Sequence, residues 1–305
     1  MAQALEQLAR QQQTLASIAG VVRTMKSLAA INAAPYERAA SAIEAWRHTV
    51  RRGFAAYAWR MGEPVLLGSA PPGCDVVVVF GSDHGFCGNH NTAVAQMVRK
   101  FQASAGAAPP AVLCVGARMA GALRERGIAV AAPLMPPASA DGIGRVAGEV
   151  VARVERFGRG RPLARLAVKL AFMRRAAHGA HAPVLSTLLP LPPALLQRPP
   201  RWPGPALPDF AGPPQALLAA LVRNHIFASV FHAAAEAMVT ENAARLARMQ
   251  QAEQALDERL EWLARQISGV RQDQITDELM DIVVGHALER PREPREGGSG
   301  ALHAL

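Results

Sequence analysis

The chain has 305 residues, half of them apolar, with 5% aromatic residues and a formal net charge of +9. That length accommodates one large domain or two small ones and a sizeable core, and nowhere do about 18 residues run without a charge or proline, so the sequence supports no membrane span. The positive charge suits nucleic acid, an anionic surface or an acidic partner. No basic run is interleaved with aromatics for stacking on bases, which argues against nucleic acid. The N-terminal MAQALEQLARQQQ lacks the basic and apolar regions of a secretory signal. The three cysteines, Cys74, Cys87 and Cys114, are odd in number and lack metal-ligand spacing. Both features fit reduced thiols in a cytoplasmic setting.

In chain order, residues 1–60 read as a helix. Apolar or small residues fall at Leu15, Ile18, Val22, Met25, Ala29 and Asn32, the alternating three-and-four spacing of a coiled-coil seam. Pro35 lacks an amide donor and crowds the preceding turn, so a kink or restart is expected there. Residues 74–190 have a different texture. The short apolar runs 75–80, 111–116, 128–132 and 163–172 alternate with helical patterns, the signature of an open α/β domain with a parallel or mixed sheet. A proline-rich stretch, 191–214, reads as an extended connection. Residues 215–288 form a second long helix with a seam at Val239, Asn242, Leu246, Met249, Glu253, Leu256, Leu260, Leu263, Ile267 and Val270. A helix with one narrow apolar stripe gains stability by packing that stripe, and the natural partner is the first helix, antiparallel to it. The charged, Gly/Pro-rich 289–305 reads as a disordered tail.

The stretch GSDHGFCGNHN, 81–91, is the one that looks chemical. A strand, a glycine-rich turn and a helix are where open α/β folds hold ligands. A phosphate loop needs a Lys and a Ser/Thr at its end, which are missing. A metal site needs more convergent ligands than His84, Cys87 and His90 supply. A nucleophile centred on Cys87, with His84 or His90 and Asp83, crowds three groups into one turn. The plainer reading is a tight turn made by Gly81, Gly85 and Gly88, with Asn89 or Asn91 capping the next helix. His225 and His232 read as core-edge or interface residues.

Several stretches together carry a resemblance. LASIAGVVRTMKSLAAINAA, SDHGFCG, PVLSTLLPLP, TENAARLARMQQA and above all GVRQDQITDELMDIVVGHAL resemble the gamma subunit of F-type ATP synthases, from about residue 15 to 288. The resemblance implies a central rotor shaft: terminal helices wound into an antiparallel coiled coil, with an inserted open α/β (Rossmann-like) domain at its foot. It implies torque transmission between the membrane ring and the catalytic ring of a proton- or sodium-translocating ATP synthase, with no catalytic residue, metal or cofactor of its own. The implied partners are the alpha and beta subunits, the epsilon subunit and the membrane c-ring. The implied location is peripheral, on the cytoplasmic side of the bacterial plasma membrane. Carried over by motif, the interface residues are Arg271, Gln272, Ile275, Thr276 and Glu278, then Arg23, Lys26 and Leu28. Three departures stand out: Pro35–Tyr36 interrupts a helical stretch, His84 stands in place of an arginine, and the tail runs past the family's usual end. Two readings from other classes compete: a small-ligand-binding or hydrolytic α/β enzyme with helical arms, and a coiled-coil scaffold.

Overall fold

The computed structural model describes residues 2–62, 74–104, 109–130, 133–157, 166–176, 179–197, 202 and 206–289. Its elements in order are α1 (Ala2–Met61), β1 (Val76–Phe80), α2 (His90–Ser104), β2 (Ala111–Val115), α3 (Ala117–Arg124), α4 (Ile143–Phe157), β3 (Val168–Arg175), β4 (His181–Leu189), α5 (Pro193–Leu196) and α6 (Pro214–Glu289). The chain divides into two compact units, residues 23–251 and residues 1–22 with 252–305.

In the first unit the sheet runs β2-β1-β3-β4. β1 is parallel to both neighbours, with Val78 opposite Leu113 on one side and Leu170 on the other. β3 and β4 are antiparallel, Phe172 facing Val184. All five residues of β1 are buried, as a strand covered on both faces requires. Because side chains alternate across a strand, Val76, Val78 and Phe80 enter one core with α4 and with Tyr36 and Phe54 of α1 and Ile226 and Val230 of α6. Val77 and Val79 enter a second core with Val94 and Val98 of α2 and Met119 and Leu123 of α3. The sheet is thus clamped between short helices on one face and the long helices with α4 on the other. Alanines 233, 234, 235 and 237 are all buried in the first core, and their size lets α6 lie close to the strands.

Within this unit the two long helices are antiparallel. Leu221 meets the space beside Gly53, the His225 ring lies edge-on to Phe54 at 6.2 Å, and His232 lies near Glu44. In the second unit the same helices are again neighbours, with Arg259 lining one surface groove together with Gln7, Arg10 and Leu15.

The structure departs from the sequence reading at several points. Helix α1 continues unbroken through Pro35. A proline inside a helix costs about 3 kcal/mol or more, but Tyr36, Ala40 and Ile43 are buried directly after it and hold the next turns in register. The buried stripe of α1 keeps Val22 and Ala29, with Leu15 and Met25 half-buried, but at two expected positions it differs: Ala19 is 1% exposed while Ile18 is 44% exposed, and Asn32 is exposed. Alanines 19 and 29 on this stripe allow close approach, and the larger apolar residues Ile18, Val21, Leu28 and Ile31 face outward. The expected strand 128–132 is absent over 128–130, with 131 and 132 outside the described residues; a lone bridge from Val115 to Leu134 takes its place. The expected strand 163–172 begins at Val168, and 163–165 lie outside the described residues. The proline-rich connection contains one helical turn, α5, with proline in its first turn, the position where a missing amide donor costs nothing. Glu289 ends α6, and the rest of the expected tail lies outside the described residues. Over their most apolar 18 residues, Gln3–Met61 and Pro214–Val284 reach mean hydropathies of 1.2 and 1.3, long and apolar enough to cross a bilayer.

Candidate functional site

The glycine-rich loop after β1 is held by its own polar residues. Ser82 is fully buried; its hydroxyl donates to the His84 carbonyl at 2.8 Å and accepts from Asn91 Nδ2 at 2.7 Å, while its amide donates to Asn91 Oδ1 at 3.0 Å. Asn91 therefore staples the loop rather than capping α2. Cys87 Sγ lies 3.4 Å from the Ser82 hydroxyl, and among the described residues no hydrogen bond joins it to a histidine ring. Asp83 accepts from the Ala117 amide at 2.9 Å, satisfying an orphan donor at the start of α3. Ser82, Asn91 and Asp83 thus spend their side-chain hydrogen bonds on holding the loop, while His90 Nε2 is buried without a hydrogen-bond partner among the described residues.

Of the three glycines expected to make the turn, Gly88 alone has a positive φ. Gly88 has φ 62°, but the other left-handed residue is Phe86, also at 62°. Gly81 is needed for space: a Cβ there would lie 2.6 Å from both Asn91 Oδ1 and Met119 Sδ. Across the sheet edge, Gly116 has φ 106°, and a Cβ would strike the Ser82 carbonyl oxygen at 2.5 Å.

The end of β3 meets α6 through an ion pair, and Arg248 of α6 lies beside Gly88 of the loop. Glu236 is 4% exposed and takes Arg175 Nη2 at 2.6 Å, Arg175 Nε at 3.4 Å and the Arg175 amide at 3.3 Å. Burial works to raise the Glu236 carboxyl, but the Arg175 bonds outweigh it and hold it below the usual range. One turn on, the Thr240 hydroxyl reaches the Met173 carbonyl at 3.3 Å. Glu241 pairs with Arg245 at 2.5 Å; burial raises its carboxyl against the opposing pull of Arg245 and His84. His90, at the start of α2, is buried and lowered to about 4 by burial and by the nearby His181 and Arg245. The Arg175–Glu236 pair and the Thr240–Met173 bond thus join β3 to one stretch of α6. Sequence inspection did not find this junction, because Glu236 and Arg175 lie in unremarkable helical and strand patterns. The one signal was Glu236, the single carboxylate inside the largely apolar stretch 226–239.

The residues carried over by motif fall in two places. Arg271, Gln272, Thr276 and Glu278 are exposed on α6, with Ile275 at 57%. Thr276 donates to the Gln272 carbonyl. From Ile275 to Val284 the helix also exposes Leu279, Met280, Ile282 and Val283. Arg23 and Leu28 are exposed on α1, Leu28 at 54%, and Lys26 is half-buried. The 271–278 set lies in one compact unit and Arg23, Lys26 and Leu28 in the other. Large apolar side chains left in contiguous exposure mark surfaces that other proteins cover.

The family model described as ATP synthase matches residues 4–287. No curated protein sequence gives a significant match. Among solved structures, the chain is similar to a chain of the Euglena gracilis mitochondrial ATP synthase rotor in rotational state 1, at 14% identity and a TM-score of 0.61, covering 90% of this chain and 100% of that one. A chain of the OSCP/F1/c-ring assembly from the same organism, in rotational state 3, matches with the same identity and score over 98% and 100%. A chain of the Tetrahymena thermophila mitochondrial ATP synthase central stalk and c-ring matches at 16% identity with a TM-score of 0.51, over 76% and 99%. Two long helices flanking a small mixed sheet, with a family match over nearly the whole chain, place it: the chain belongs to the ATP synthase gamma-subunit family and is a central-stalk subunit.

Proposed function

We propose that the chain works as a shaft without chemistry of its own, turning inside a ring of alpha and beta subunits and carrying torque to and from a membrane c-ring, with an epsilon subunit at its foot. The observation that supports this most is the length and dress of α6, a single 76-residue helix whose segment 271–284 leaves its charged and apolar side chains exposed, apart from half-buried Gln274. In this reading Arg271, Gln272, Ile275, Thr276 and Glu278 meet loops of the beta subunit, and Arg23, Lys26 and Leu28 meet the ring from α1. Charged rim groups set encounter and register, and apolar groups supply the grip. The positive net charge then meets acidic loops. The complex is peripheral to its membrane, and the three free thiols suit the reducing cytoplasmic face of a bacterial plasma membrane.

The test is recovery and turnover. Tagged chain expressed in its host brings down alpha and beta subunits. In the reconstituted complex, Arg271→Ala with Gln272→Ala lowers coupled ATP turnover, while Cys87→Ala with His84→Ala leaves it largely intact. A pull-down without alpha or beta subunits refutes the shaft reading. A loop variant that abolishes an activity of the isolated chain favours an enzyme.

A further inference from the structure

On the face of the sheet covered by the long helices, a cavity of about 500 Å³ opens between α1, β3, β4, α5 and α6. Its charged lining is of one sign: Arg47 and Arg51 from α1 and Arg174 from β3, with His225 and His232 from α6 beside them. Among the described residues no carboxylate lines it. Glu44 pairs with Arg47 at 2.6 Å and lies 3.9 Å from Arg51, so one acid answers two of the three guanidinium groups. Arg174 makes no ion pair among the described residues. Arg47 Nε and His232 Nδ1 are buried without a hydrogen-bond partner among the described residues. A buried, unmet polar group costs about 1–3 kcal/mol, and an occupant with several acceptor oxygens would relieve the arginine. The remaining walls divide in two, with the polar residues Ser186 and Gln197 on one part and the apolar residues Leu170, Phe172 and Leu195 on another.

We propose that this cavity binds a small phosphorylated organic anion. Guanidinium forks match phosphate oxygens in planar, paired hydrogen bonds, and three of them exceed what a single carboxylate needs. The volume lies within the range of about 300–1,000 Å³ that small-molecule sites occupy, larger than an inorganic phosphate requires. The apolar wall takes the organic body. His225 is lowered to about 4, first by burial and then by Arg47 and Arg51, so at neutral pH it presents an uncharged imidazole while the arginines carry the charge. The ligand's phosphate is supplied equally by a soluble nucleotide or by a lipid headgroup, and the cavity serves either source.

The experiment is calorimetric titration of the full chain at low salt with three probes: ADP, dihexanoyl phosphatidic acid and inorganic pyrophosphate. The expected result is saturable one-to-one binding of ADP or of the short-chain lipid, tighter than pyrophosphate, the stronger of the two identifying the source. Arg51→Ala and Arg174→Ala, both at exposed side chains and therefore compatible with folding, each weaken it by about fivefold or more. Arg271→Ala, which removes the same charge elsewhere, leaves it unchanged. The inference is overturned if no probe saturates, if pyrophosphate binds tightest, if neither cavity variant weakens binding, or if Arg271→Ala weakens it as much as they do.

Discussion

The two compact units share the same two helices yet differ in what those helices bury. Within residues 23–251, α1 and α6 bring Tyr36, Phe54, Ile226 and Val230 into a core shared with the sheet. In the other unit burial reduces to a narrow stripe, Ala19 and Val22 on one helix and Leu263 and Ile267 on the other, and beyond it α6 exposes a run of apolar residues to Val284. The difference separates stability from coupling. One stretch of helix is built to be held by this chain, and the other is dressed for surfaces this chain does not contain.

Substitutions in the two regions should therefore separate cleanly, and the largest effects belong to the first. Phe54→Ala removes a fully buried ring and is expected to cost about 3–5 kcal/mol, read as a lower midpoint in urea unfolding. Gly116→Ala places a Cβ against the Ser82 carbonyl at a φ of 106° and is expected to destabilise by about 2 kcal/mol or more, so a wild-type melting temperature would refute the close approach. Glu236→Ala leaves Arg175 without its partner and is expected to cost about 2–3 kcal/mol, the lower end because Arg175 is half-exposed.

The pH dependence follows from the same groups. His90 is lowered from 6.5 to about 4, so between those values the unfolded chain binds more protons than the folded one and stability falls as the pH falls. For a buried group that shift amounts to about 3 kcal/mol across the window, and His225 acts in the same direction. His90→Gln is expected to flatten unfolding free energy between pH 6.5 and 4, and an unchanged slope contradicts it. Glu236, held low, adds stability that is present above its unfolded value and is lost as pH falls through its folded one. Glu241, raised by burial, has the opposite sign. At the small end, Ile275→Ala and Leu279→Ala should shift stability by less than about 0.5 kcal/mol.

The same contrast explains what the sequence revealed. The α6 seam was legible because its large residues, from Met249 to Ile267, lie on one face of a largely polar helix, and the structure buries or half-buries all of them. The α1 seam held at Leu15, Val22, Met25 and Ala29 but missed at Ile18, where hydrophobicity favoured Ile18 over Ala19 while close helix approach favours the smaller side chain. Strand β4 lay in a stretch read only as the end of the domain, since Ser186 and Thr187 interrupt its apolar pattern and an edge strand needs only one ladder. The loop's composition pointed toward chemistry, but Asn91 spends its hydrogen bonds on the Ser82 amide and hydroxyl and Asp83 accepts from the distant Ala117 amide, which only a folded structure reveals. The charge cluster of Arg175 and Glu236 joins residues 61 positions apart, beyond any local pattern.

The account rests most heavily on α6 between Arg271 and Val284 being a coupling surface rather than a folding element. The direct measurement is coupled ATP turnover of the assembled complex carrying Arg271→Ala and Gln272→Ala, alongside thermal unfolding of the same chain. The prediction is a clear drop in coupled turnover with an unchanged melting temperature and unchanged recovery of alpha and beta subunits. Unaltered turnover in a fully assembled complex, or a loss that tracks a lowered melting temperature, would contradict it.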